Sequence, residues 1–496
     1  MSQSYTVTAV TTVVLATVLI GGFGLRISRT TSDFYVASRT VKPALNAAAI
    51  SGEYLSAASF LGIAGLVLLH GPDMLWYPVG YTAGYLVLLV FVAAPLRRSG
   101  AYTLPDFAEG RLESLAVRRL VSVLVVGAGW LYLVPQLQGA GLTLTTLTGA
   151  PYWFGGVLVA LVVVVSVAAG GMRSITFVQA FQYWLKLTAL LVPAIFLLLA
   201  WQGDGRPRLD LAVTRDVVGR VDHPLYATYG LIVATFLGTM GLPHVVVRFY
   251  TSPNGQAARR TTVVVLALIG AFYLLPPVYG ALGRLYVPEL PLGTDADAAV
   301  LLLPEHAIGG VGGDLLGALV AGGAFAAFLS TASGLTMAVA GVLTQDVLPS
   351  RGVRHFRLAT PLAMGAPLGG SLLISGMPVA DSVGMAFAVS ASSFCPLLVL
   401  GIWWRRLTPQ GAVAGLLLGG GLAFIATLVT VSGTVSGGWA HALLAWPAVW
   451  SVPVGFLSMI LVSLATPHRI PPGTNAAMTR FHLPEALAPD GRGGTR

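Results

Sequence analysis

The sequence predicts an all-α integral membrane protein with about thirteen transmembrane helices. Three observations carry this: its composition, a succession of long apolar runs, and a lopsided distribution of basic residues. Hydrophobic residues make up 55% of the 496-residue chain and charged residues 9%, against about 25% charged in soluble domains. So little charge cannot cover a soluble surface of this size, and lipid is the solvent that suits the excess. Sixty glycines and thirty prolines agree, since both are more frequent in membrane helices than in soluble ones.

A span needs roughly 20 mostly apolar residues. Thirteen such segments lie near 5–25, 43–70, 74–96, 118–148, 152–170, 175–201, 226–248, 261–285, 313–345, 356–376, 378–404, 410–434 and 445–466. The start, MSQSYTVTAV, lacks a basic region, and Arg26 and Arg29 follow the apolar stretch. A cleavable signal has the opposite order, so the first segment is expected to stay as a helix. With thirteen spans and the N-terminus outside, one face collects 22 of the 28 Lys and Arg, the other five, and Lys186 lies within a span. The positive-inside rule puts the richer face, and the C-terminus, in the cytoplasm. The 26 arginines against two lysines suggest a GC-rich bacterial genome, hence a bacterial plasma membrane.

Residues 1–466 are expected to form one transmembrane domain and 467–496 a cytoplasmic tail without stable structure, being rich in Pro, Gly and Arg. The net charge of +9 is spread over short loops, with no basic stripe for nucleic acid. Cys395 is alone, so no internal disulfide forms. No nucleophile–base pair or metal-ligand cluster points to an enzyme, no cofactor is implied, and no obligate protein partner is inferred. A sensor built on a transporter core is disfavoured by the short tail.

In many membrane transporters the binding site lies where two helices at corresponding positions are interrupted. The second segment carries Gly52, Glu53, Ser51, Ser56 and Ser59 in an otherwise apolar run. The seventh is interrupted by Gly238, Gly241 and Pro243. They lie five spans apart, the spacing expected if 43–201 and 226–404 are inverted repeats. In the ninth segment Ser330 and Thr331, with Ser333 and Thr336, offer hard oxygen donors suited to a cation. Glu53 is a charge within a span, a functional candidate by default; it could face the cation, carry a proton, or pair with a neighbouring helix. Lys186 is expected to snorkel or to meet backbone, with a substrate role the lesser reading. Gln136, Gln138 and Gln182 read as helix–helix hydrogen bonds, and His244 as structural rather than a proton relay.

These residues give the chain a resemblance to the sodium:solute symporter family, running from Ser32 to about Gly419. The stretches are Asp33–Arg39, Tyr102–Phe107, Gln138–Gly141, Gly170–Ser174 and Leu329–Thr331. Within the family it looks most like the cation/acetate and monocarboxylate permeases, through Gly52–Gly62, Gly241–Tyr250 and Trp403–Gly411. The resemblance implies a LeuT-type core of 5+5 inverted repeats. It also implies a sodium site built from carbonyls of Gly52, Leu55 and Ala327 with the hydroxyls of Ser330 and Thr331. Two departures stand out. Sugar and proline members carry an acid where this chain has Gln179, and the acetate branch commonly has Asp at the position of Glu53.

The expectation is a secondary active transporter importing a small monocarboxylate such as acetate, propionate or pyruvate. Sodium is the expected coupling ion and a proton the alternative; proline or another solute is the alternative substrate. The carboxylate is expected against Ser56, Ser59, Gly238 and Thr239.

Overall fold

The computed structural model describes residues 3–27, 31–209, 223–288, 293–347, 352–373 and 378–484. The described residues are helical with no strand. Arg215, Arg220 and the tail beyond 484 lie outside them. Leu19, Phe23, Leu161, Trp184, Leu428 and Leu461 point outward, each at least 47% exposed. An apolar belt of this kind is what lipid requires, and the chain is a multi-pass membrane protein.

Nine helices among the described residues are long and apolar enough to cross a membrane, or ten if the bent pair Pro224–Gly241 and Pro243–Phe249 is one span. The expected thirteen is not reached by this count. One reason is that the runs Ala58–Ser99 and Tyr152–Gly203 each register once. The 52 residues of the second would extend roughly 78 Å at about 1.5 Å per residue, far beyond a hydrocarbon core of about 30 Å. Each run turns at a glycine with positive φ, Gly71 at 75° and Gly171 at 55°, where a side chain would be strained. A second reason is Val353–Leu373, which contains Pro361 and Pro367 and opens with Arg354, His355 and Arg357.

Two helices form the buried axis, Gly310–Val342 and Val379–Trp403. Gly310–Val342 packs mainly against Tyr152–Gly203, and Val379–Trp403 against Pro224–Gly241. Small residues make such close approach possible in lipid, where burial of apolar surface gives no net drive. A Cβ on Gly323 would strike Ala189 and Phe60; one on Gly241 would strike the Ser390 carbonyl.

Both expected interruptions are present. Pro43–Tyr54 ends at Leu55, whose φ −74°, ψ 88° is not helical, and helix resumes through a π-turn at Ala58–Gly62. Pro224–Gly241 ends at Leu242, φ −61°, ψ 118°, before Pro243 starts the next helix. A residue preceding proline is pushed out of the helical region by the ring, and the two halves bend by 41°.

The tail is more ordered than its composition suggested. Thr474–His482 is helical and docks on the body. Arg480 Nε donates to Arg98 O at 2.9 Å, and Arg98 Nη1 to Phe481 O at 3.2 Å. Arg111 Nη1 donates to Thr474 Oγ1 at 3.2 Å and its Nε to Gly401 O at 2.9 Å. Burial lowers the Arg111 guanidinium to about 10.

Candidate functional site at the helix breaks

Pro43 starts the first half-helix, where its missing N–H costs nothing. Asn46 through Tyr54 are buried. Gly52 sits so close to the neighbouring Tyr152–Gly203 run that a Cβ would strike the Gln179 carbonyl. The break then frees backbone groups, each of which must find a partner away from water. Glu53 O accepts from Thr331 Oγ1 at 2.6 Å. On the far side, Ala57 N–H donates to Gln136 Oε1 at 2.9 Å, so Gln136 caps the resumed helix.

Gly52 O and Leu55 O both accept from Lys186 Nζ, the latter at 2.7 Å. A third bond runs from Lys186 Nζ to Ser330 Oγ at 2.9 Å. Three of the five oxygens expected to hold sodium therefore converge, and the group they surround is an amine of the chain itself. Of the other two, Ala327 O accepts the Ser330 hydroxyl at 3.0 Å, and the Thr331 hydroxyl is committed to Glu53 O.

We assign Lys186 as an ammonium from the donor count. The two carbonyls only accept, and the Ser330 proton is spent on Ala327 O, so Ser330 Oγ accepts as well. Three acceptors require three N–H bonds, which an ammonium has and a neutral amine does not. A second unit charge about 3 Å away would be repelled by roughly 5 kcal/mol at an effective dielectric of 20. The oxygens suit a hard cation, and as placed three of them surround the Lys186 amine.

Glu53 faces the other way. Its Oε2 accepts from Arg248 Nε at 2.5 Å, and a Cβ on Gly334 would collide with its carboxyl group. Arg248 lies just past the second break, in Pro243–Phe249. Its Nη1 donates to Thr176 Oγ1 at 3.0 Å, while its Nη2 is buried with no partner among the described residues. Glu53 thus forms the neighbouring-helix pair that was one of its three readings. Gln179 donates to Ser330 O at 2.8 Å and helps fix the lysine's surroundings.

Beyond the first break lies a group of buried aromatic rings and hydroxyls. Ser59 Oγ meets Tyr273 OH at 2.9 Å, and Tyr54 OH meets Thr239 Oγ1 at 2.7 Å. Tyr81 stacks on Tyr273 with ring centres 5.9 Å apart. Phe387 touches both Tyr81 and Tyr132, and Tyr132 abuts His244 at 5.3 Å. Ser56 Oγ, Tyr81 OH, Tyr85 OH and both His244 ring nitrogens are buried without a partner among the described residues. Buried polar atoms normally find one, and a cluster of exceptions is what a polar ligand or water would satisfy. Of the four residues expected around the substrate, Ser56, Ser59 and Thr239 belong to this neighbourhood. Gly238 is pressed against the Phe387 carbonyl instead, where its lack of a side chain serves helix packing.

Sequence reasoning did not single out Arg248 or the tyrosines. The signal was there for the tyrosines: positions 77, 81 and 85 fall on one helix face.

The fold and site define a class: a multi-pass helical membrane protein with two interrupted helices and a buried charged cluster between them. The chain belongs to the sodium:solute symporter family, whose sequence pattern it matches over residues 34–419. It is 32% identical to an uncharacterised symporter of Bacillus subtilis (strain 168), YwcA, over 470 residues, 89% of this chain and 90% of the relative. Among solved structures it is similar to a Na+-coupled sialic acid symporter in a substrate-bound outward-open state. That likeness has a TM-score of 0.66 at 14% identity, over 93% of this chain and 98% of the other. A manganese transporter of Eremococcus coleocola gives a TM-score of 0.58 at 16% identity, over 91% and 99%. At such identities the likeness is one of fold.

Proposed function

We propose that the protein is a secondary active symporter that imports a small monocarboxylate of the acetate, propionate or pyruvate type together with a cation. Family membership and the symporter relative support solute transport. The observation that carries the substrate class is the buried charge count at the breaks. Glu53 contributes one negative charge, and Arg248 and Lys186 contribute two positive ones. The excess of one positive charge in a medium of low dielectric calls for a monoanion. The unpartnered Arg248 Nη2, the Ser56 hydroxyl and the one N–H of a neutral His244 ring are the donors a carboxylate could use.

The sodium:solute family and the sialic acid symporter favour sodium as the driving ion. Lys186, seated among the oxygens expected to hold that ion, favours the second reading, uptake coupled to a proton. The protein is proposed to sit in a bacterial plasma membrane with its N-terminus outside and C-terminus in the cytoplasm, and to follow the 5+5 repeat plan with 43–201 and 226–404 as the two halves. Alternating access would then come from a four-helix bundle rocking about the site at the breaks.

Uptake of labelled acetate, propionate, pyruvate and proline into proteoliposomes, under imposed sodium or proton gradients, tests the reading. Accumulation of a monocarboxylate under one of the gradients supports it. Proline uptake without monocarboxylate uptake overturns it.

A further inference from the structure

Three of the five oxygens that the family resemblance assigns to sodium are here the shell of a lysine ammonium. Lys186 is 0% exposed and comes from the Tyr152–Gly203 run, across from the broken helix. Its three N–H bonds end on Gly52 O, Leu55 O and Ser330 Oγ. These contacts join the end of the first half-helix at Gly52 and the break itself at Leu55 to the Gly310–Val342 helix. A sodium ion in the same place would make the same connections through the same atoms. An ammonium and a sodium ion both satisfy oxygen lone pairs with a unit positive charge, so the lysine can do the structural work of the ion without leaving.

We infer that Lys186 is a tethered cation standing in the place of a sodium ion, so that the protein keeps its first helix break and its transport activity without binding sodium at this site. The inference deepens the symport reading by excluding one coupling ion from one place. It does not depend on the solute being a monocarboxylate. The neighbouring geometry supports it from two directions. Ser330 turns its proton away onto Ala327 O, leaving only lone pairs facing the amine. Gln179 Nε2 holds the Ser330 carbonyl at 2.8 Å and so fixes the residue whose hydroxyl the amine meets.

Removal of the tether should open the site. Equilibrium binding of labelled sodium to the purified full-length protein, in the absence of any solute, compares the wild type with Lys186→Ala and with the double variant Lys186→Ala/Ser330→Ala. The expected result is one additional saturable sodium site in Lys186→Ala relative to the wild type, lost again in the double variant. A folded Lys186→Ala that gains no site overturns the inference. The wild type provides a readout that survives a misfolded variant: its melting temperature in sodium against choline, beside that of Ser330→Ala. No sodium-dependent rise attributable to Ser330 is expected. A sodium-dependent rise in the wild type that Ser330→Ala abolishes means that sodium enters the shell despite Lys186, and overturns it. Because neither assay contains a solute, a wrong substrate assignment would leave both results intact.

Discussion

Arg248 Nε and Glu53 Oε2 lie 2.5 Å apart, joining the half-helix before the first break to the half-helix after the second. The two residues are 195 positions apart and 1% and 2% exposed. Each charge needs the other, because an unpaired ion in such surroundings is costly. The pair fixes how the two breaks face each other, and so fixes the place where the solute is proposed to sit.

Removing both partners should therefore cost less than the sum of removing each. Glu53→Ala or Arg248→Ala is expected to lose about 3–5 kcal/mol of stability. The double replacement Glu53→Gln/Arg248→Gln should lose distinctly less than the sum of the single Gln variants. Melting temperatures in detergent around such a double-mutant cycle measure the coupling; simple additivity would show that the pair is not a unit.

How much of this was readable beforehand differs by feature. The second break was plain in the sequence, because Pro243 excludes helix from the residue before it. The first was located only to the neighbourhood of Gly52 and fell at Leu55, since glycine and serine permit a break without fixing its register. The sequence points to the oxygens of Gly52, Leu55 and Ser330 as a sodium shell, and the structure places the Lys186 amine among them. Lys186 reaches them with a long flexible side chain from a different helix, a contact that no local pattern encodes. The same holds for Arg248, visible in the sequence only as a base near a helix end. The helix Thr474–His482 was missed because its residues are too polar to signal a buried face. Its order comes from Arg98 and Arg111 on the body, which are remote in sequence.

The cap supplied by Gln136 offers a test of the first break. Gln136→Leu leaves the buried Ala57 N–H without an acceptor, a loss of about 1–3 kcal/mol. A lowered melting temperature together with faster amide exchange at residues 56–58 is the expected outcome. Unchanged exchange there would show that the cap does not hold the break.

Asp297 predicts a pH dependence. Burial raises its carboxyl to about 7, opposed by the Val379 N–H and reinforced by the charge of Asp381. The folded protein then binds a proton that the unfolded chain releases near 4. Stability should accordingly fall as pH rises from about 4 through about 7, by roughly 4 kcal/mol at most. Asp297→Asn keeps an acceptor for Val379 N–H and carries no charge. Its melting temperature should exceed that of the wild type by more at pH 8 than at pH 5, whereas an equal difference at the two values would contradict the assignment.

Ser59, bonded to Tyr273 at 2.9 Å, lies in the neighbourhood proposed for the solute. Ser59→Ala should raise the apparent KM for monocarboxylate uptake about fivefold with little change in maximal rate, the signature of lost uniform binding worth about 1 kcal/mol. A fall in maximal rate at constant KM would place Ser59 in the conformational step instead.

The central claim is that the buried cluster of Glu53, Arg248 and Lys186 carries one positive charge in excess and is built to hold one negative charge. Competition against labelled pyruvate uptake in proteoliposomes tests it most directly, with unlabelled acetate, propionate and their neutral amides as competitors. The account predicts that the carboxylates compete and that acetamide and propionamide, nearly the same in shape, do not. Equal competition by the amides would contradict it.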